Sequence, residues 1–137
     1  QEKALGPNHR HTATTLNNLA GLYVDQGKYS QAQQLYQQAL AIREKAMNPE
    51  HPHVAQSLND LAKLYFNQGK YAQAESLYQR ALAIDEKAFG LMHPYIASIF
   101  ENYAVLLRKT KRQTQAAELE ANARLIRAKY AQENHPQ

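Results

Sequence analysis

A repeat of 42 residues decides what this chain can fold into. His9, His51 and His93 stand 42 residues apart, and His135 falls on the next step. Residues 9–50 and 51–92 coincide at about 25 of 42 positions, far beyond chance for unrelated segments. The shared text includes Leu16-Asn17 with Leu58-Asn59, Gln26-Gly27-Lys28-Tyr29 with Gln68-Gly69-Lys70-Tyr71, and Ala39-Leu40-Ala41-Ile42 with Ala81-Leu82-Ala83-Ile84. A unit of this size is one supersecondary element that cannot bury its apolar face alone, so copies must stack. The frame divides the chain into a leading tail at 1–8, units at 9–50 and 51–92, and a third, degenerate unit at 93–137.

Each unit contains two helical patterns. Leu16, Leu19, Ala20 and Tyr23 recur at the three-and-four spacing that places apolar groups on one helix face, which predicts a helix A. Gln26-Gly27-Lys28 interrupts it, with Gly supplying the left-handed conformation that closes many helices. Ala32, Leu35, Tyr36, Ala39, Leu40 and Ile42 then define a helix B, expected to end near Asn48 and, in the next copy, near Gly90, both types that tolerate a left-handed cap. His51-Pro52 and His93-Pro94 put Pro in the first turn of the next helix, where no amide bond is lost. Small Ala20 and Ala32 permit close approach of the two helices, and Tyr23 and Tyr36 fill the space beside them. No segment shows sustained alternation of period two, so an all-α array of antiparallel hairpins is expected.

The third unit departs from the pattern. Gly69, Tyr71 and Tyr78 correspond to Lys111, Gln113 and Glu120. A Lys held left-handed costs about 1 kcal/mol, so a differently built turn is expected there. Polar replacements on the last helix suit a terminal capping unit whose outer face meets water. At the other end, Gln1 to Gly6 aligns with Asp85 to Gly90, as if the tail of a preceding helix B opened the chain.

Leu16-x2-Leu19-Ala20-x2-Tyr23, then Ala32-x3-Tyr36 and Ala39, with the same set from Leu58 to Ala81, resembles the tetratricopeptide signature. Leu, Ala and Tyr stand where that family usually has Trp, Gly and Phe, and the unit exceeds the usual 34 residues by eight. The Pro that normally stops helix B is absent, so that helix is expected to run through Glu44 and Lys45. The 42-residue unit, its His-Pro start and its E-K-A-x-G-like ending resemble the kinesin-light-chain type, bacterial relatives included. The resemblance implies a right-handed superhelical solenoid whose A helices line a concave groove.

Composition narrows the chemistry. With no Cys there is neither a disulfide framework nor a thiol nucleophile. No apolar run approaches the roughly 18 residues of a membrane span, so no membrane partner is expected, and the cytoplasm is the expected compartment. No phosphate-binding, nucleophile-elbow, zinc-protease or dinucleotide fingerprint is present, and no cofactor or enzyme activity is expected. Asp85-Glu86 replaces Arg43-Glu44 at a position expected to be exposed. His9 with His11 and His51 with His53 form HxH pairs, but no acidic or thiolate ligand repeats beside them, so they are read as helix starts rather than a metal site. The tyrosines at helical spacing are read as core rather than a stacking platform for bases. Up to Met92 there are 9 Lys and Arg against 8 Asp and Glu, and from His93 onward 7 against 4. Such an excess is too slight for a phosphate track, so no nucleic acid is expected.

The groove stripe on helix A comprises Thr14, Asn17, Gly21, Val24 and Asp25, then Gln56, Asn59, Lys63, Phe66 and Asn67, then Ser98, Glu101, Val105, Arg108 and Lys109. Asn is a mediocre helix former, so its recurrence mid-helix suggests use of its amide, which both donates to and accepts from an extended backbone. In kinesin-light-chain-like repeats the Asn residues of an L-N-N-L segment play that part. Leu16-Asn17-Asn18-Leu19 matches it, Leu58-Asn59-Asp60-Leu61 matches with one change, and Phe100-Glu101-Asn102-Tyr103 departs. The expected function is an adaptor that binds an extended, acidic peptide of another protein, with Asn17 and Asn59 holding its backbone and Lys63 and Arg108 supplying charge; Asn18, Gln56 and Lys109 belong to the lining as well. Glu101, Phe66 and Asn67 complete the expected lining. The alternative is self-association, two copies pairing through exposed repeat ends.

Overall fold

The computed structural model describes residues 7–48 and 50–134. Among the described residues there are six helices and no strand: α1 (Pro7–Asp25), α2 (Tyr29–Ala46), α3 (Pro52–Asn67), α4 (Tyr71–Phe89), α5 (Pro94–Lys109) and α6 (Gln113–Asn134). They form an all-α solenoid of three hairpins, α1 with α2, α3 with α4 and α5 with α6, each stacked on the next. Residues 1–6 of the expected leading tail lie outside the described residues, and Pro7 already opens α1.

Alanines sit where helices of one hairpin meet. Ala20, Ala62 and Ala104 on the A helices and Ala32, Ala74 and Ala116 on the B helices are all fully buried. Tyr36 and Tyr78 fill the space next to them, and Tyr78 stacks on Tyr103 of the following unit, ring centres 5.7 Å apart. One central cluster therefore joins α3, α4 and α5 and reaches Ala116 of α6, flanked by smaller ones beneath α1 and farther along α6.

The A-to-B turn is built the same way three times. Gly27 and Gly69 adopt φ of 76° and 80°, and Lys111 adopts 65°. In each turn the next residue's N–H donates to the carbonyl five residues back, at 2.8 Å for Lys28 to Tyr23, Lys70 to Tyr65 and Arg112 to Leu107. The expectation of a different third turn is thus corrected: Lys111 takes the left-handed conformation. Thr110 supports it, its hydroxyl donating to the carbonyls of Leu106 and Leu107 at 3.0 and 3.2 Å.

The B-to-A turn differs between copies. Gly90 has a φ of 81°, but Asn48 does not take the expected left-handed cap. The helix stops instead at Met47 in extended conformation, and Asn48 accepts the Glu50 N–H on its side-chain oxygen at 2.8 Å, an Asx turn. The next helices start alike. His51 Nδ1 accepts the His53 N–H at 3.0 Å, His93 Nδ1 accepts the Tyr95 N–H at 3.1 Å, and Pro follows each. An imidazole nitrogen here replaces the usual Ser or Asp oxygen at a helix N-cap.

Candidate peptide-binding groove

The expected stripe lies along the A helices, but two of its amides are tied to polar side chains of the neighbouring unit. Asn17 Nδ2 donates to Asp60 Oδ2 at 2.8 Å, and Asn102 Nδ2 donates to Asn59 Oδ1 at 3.3 Å. Both bonds span 43 residues, one more than the repeat. Adjacent helix residues point about 100° apart, so at these two repeat positions the first residue, Asn17 or Asn59, faces the following unit and the second, Asp60 or Asn102, faces the preceding one. That offset explains why two polar residues stand side by side, and Asp60 and Asn102 are the partners the sequence did not reveal. Asn18, at the same position as Asp60, is exposed on the far edge of α1 and does not join the cluster. Burial raises the carboxyl pKa of Asp60, opposed by the Asn17 bond and by the charges of Lys63 and Arg43. Asn17 Oδ1 is enclosed and meets no donor among the described residues.

Lys63 is exposed and enters no ion pair among the described residues, and with Asp25, Asp60, Asn67 and Val24 it borders a small cleft of about 140 Å³ between α1 and α3. Phe66 is half-buried against Tyr71, centroids 5.5 Å apart. Gln56 and Asn59 line a second cleft, described below, whereas Lys109 is exposed beyond it. In the third unit Arg108 and Arg127 each meet a carboxylate of the same unit. Arg108 pairs with Glu120 through both carboxylate oxygens and donates to Gln113 Oε1 at 2.6 Å. Glu101 is held below the usual carboxylate range by the Arg127 guanidinium, which donates to it at 2.8 and 2.9 Å.

Arg43 and Asp85 correct another expectation. Both are 3% exposed, turned inward between units rather than out to solvent. Arg43 donates to Ser57 Oγ at 2.8 Å, to the His53 carbonyl at 3.2 Å and to Thr14 Oγ1 at 3.3 Å, bridging α1, α2 and α3. Burial lowers its pKa, with Asp60 acting the other way. The imidazole of His53 is held below its ordinary value by burial, then by Arg43 and His51. At the corresponding place in the next unit, Asp85 has no hydrogen-bond donor on Oδ1 among the described residues. Burial alone pushes its carboxyl up to about 6. A cleft of about 290 Å³ opens there between α3 and α5. The one signal in the sequence was a charge reversal inside Ala39–Ala46 and Ala81–Ala88, stretches that otherwise differ nowhere.

Among the described residues no three His, Cys, Asp or Glu converge as metal ligands, and no helix is long and apolar enough to cross a membrane. Tyr36, Tyr78 and Tyr103 serve the core, as expected for Tyr36 and Tyr78, whereas Tyr95 and Tyr130 are exposed. Tyr103 also donates its hydroxyl to Glu75 at 2.6 Å, alongside the Arg112–Glu75 ion pair.

The tetratricopeptide repeat family model matches residues 1–45, 12–87 and 53–124. The chain belongs to the tetratricopeptide repeat family. Its solved likenesses are of the kinesin-light-chain type. A putative kinesin light chain of Podosopora anserina with nearly identical TPR-like repeats is 28% identical with a TM-score of 0.78 over 90% of this chain, and a second crystal structure of that protein is 27% identical with 0.80 over 93%. BtubC (BKLC) from P. vanneervenii is 27% identical, with a TM-score of 0.78 over 85% of this chain. This tetratricopeptide chain spans 58%, 60% and 46% of those three chains respectively. Among curated proteins none matches the sequence. Tetratricopeptide repeats generally mediate protein–protein interaction or scaffolding.

Proposed function

We propose that this chain is a binding scaffold, not an enzyme, and that it captures an extended, acidic segment of another protein along its A-helix face. The observation that carries this reading is Lys63, a cation exposed on the groove with no ion pair among the described residues, one helix turn from Asn59 on one side and from Asn67 on the other and sharing its cleft with Asp25 and Asp60. Arg108 contributes less than its charge suggests, because Glu120 already faces it. Asn59 keeps its amide nitrogen for a ligand carbonyl while its oxygen serves Asn102.

The test is selection of acidic peptides from a random display library against the chain, followed by calorimetry. Lys63→Gln should weaken a selected peptide at least tenfold and flatten the salt dependence of its affinity while the chain stays folded. Unchanged affinity, or a peptide that footprints on the B helices, would refute the groove reading.

Self-association is favoured by one observation: Leu19 and Leu22 are 38% and 57% exposed on α1, whereas Leu61, the counterpart of Leu19, is covered. Sedimentation across a concentration series should show one chain at low concentration and two at high, with Leu22→Glu holding it at one. A single mass throughout leaves the scaffold reading alone.

A further inference from the structure

The three B helices carry Arg43, Asp85 and Arg127 at one repeat position. The two arginines both place a guanidinium against the preceding A helix: Arg43 donates to Thr14 and Arg127 donates to Ser98, residues that are themselves counterparts. Arg43 also reaches forward to Ser57 on α3. At the middle position the cation is gone and a carboxylate stands in its place. Its surroundings changed with it: Ile99 replaces the hydroxyl of Ser57, and Gln56 replaces Thr14. What remains is a cleft of about 290 Å³ with Asp85 among its lining and Asn59, Gln56 and Ser98 around it.

We infer that this cleft is a socket for a basic side chain, arginine or lysine, delivered by a bound peptide. The carboxylate of Asp85 is nearly all buried and its Oδ1 meets no donor among the described residues. An uncompensated buried carboxylate is costly, and a cation entering the cleft that Asp85 lines would offset that charge. Asp60 also lines the cleft. Tyr95 stands at the rim, 56% exposed, its ring held edge-on by His93 and Phe89 at 4.6 and 5.4 Å, a place from which an aromatic face attracts a cation. The volume lies at the lower edge of small-molecule sites, roughly 300 Å³, which suits one side chain rather than a whole cofactor. The socket rests on the groove reading in that a peptide brings the cation. It extends that reading, since the ligand then carries a basic residue over α3 and α5 as well as acidic ones near Lys63.

The socket can be tested without any peptide. N-acetyl-arginine amide, N-acetyl-lysine amide and the neutral isostere N-acetyl-citrulline amide are titrated into isotope-labelled chain and followed by NMR. Saturable shifts are expected at the Asn59 side-chain amide and at the backbone amides of Asp85 and Ser98. The citrulline probe should bind at least tenfold more weakly than the better cation, and the two cationic probes tell which side chain the socket takes. Asp85→Asn should lose at least tenfold. Gln56→Arg, an exposed change that supplies a guanidinium from within the chain, should block the probes even if Asp85→Asn folds poorly. Equal binding of citrulline, or undiminished binding by both variants, would overturn the proposal. A failed socket with Lys63-dependent peptide affinity intact removes only this inference. A filled socket without peptide binding removes only the groove reading.

Discussion

Asp85 carries a signature in the pH dependence of stability. Its folded pKa, about 6, lies above the ordinary value of 3.8 because burial disfavours the charge. The stability attached to this group is therefore fully present below about 3.8 and is lost as pH rises through about 6. Asp85→Asn removes the ionisation, so at pH 8 the variant should be the more stable by on the order of 2 kcal/mol. The gap should narrow as pH falls through 6 and close below 4. Urea titrations at pH 8, 6 and 4 check this, and a constant gap would show that Asp85 does not ionise at a cost. Asp60 and His53 also titrate nearby but are common to both proteins. Asn59→Ala, by contrast, is a mixed probe. It loses the bond from Asn102, worth about 0.5–1.5 kcal/mol, and regains roughly half of that in helix propensity. Stability should change little, and Lys63 is the cleaner place to read ligand affinity.

Among the elements, the turn between α5 and α6 holds a removable strain. Lys111 sits at φ 65° where the two earlier units have Gly, and a Cβ at Gly27 or Gly69 would meet no atom within 4 Å. The cost is thus backbone conformation and not crowding. Lys111→Gly should stabilise by about 1 kcal/mol and raise the melting temperature by roughly 4 °C. A lower melting temperature would mean that the Lys side chain makes a contact that matters. The hairpins, their turns and their alanine contacts could be read from spacing alone, because period 3.6 and Gly–Pro punctuation are local properties. The third turn could not, since Thr110 offsets the absent Gly through bonds to carbonyls that sequence does not display. Arg43 and Asp85 were misplaced for a related reason: charge argues for exposure, and only the stacking of units shows that this helix position faces inward. The Asn pairs were seen as polar and useful, but their tie across units needed the neighbour in place.

Across the whole molecule, stability should follow contacts between neighbouring units, as in other stacked arrays. Tyr78 lies in the central cluster, is 1% exposed and stacks on Tyr103 of the next unit. Tyr78→Ala should cost about 3–5 kcal/mol, and because that cluster spans α3, α4 and α5 it should lower the melting of the second and third hairpins together. Hydrogen exchange would report this, and loss of protection confined to α4 would contradict it. The forward-and-back division within each Asn pair bears on copy number. A second copy of 51–92 spliced after residue 92 would bring its own Asp60 equivalent to meet Asn59, reproducing the bond that Asn17 makes. Its own Asn59 equivalent would then await Asn102. That amide tie is self-propagating and would recur at every added copy of the second unit.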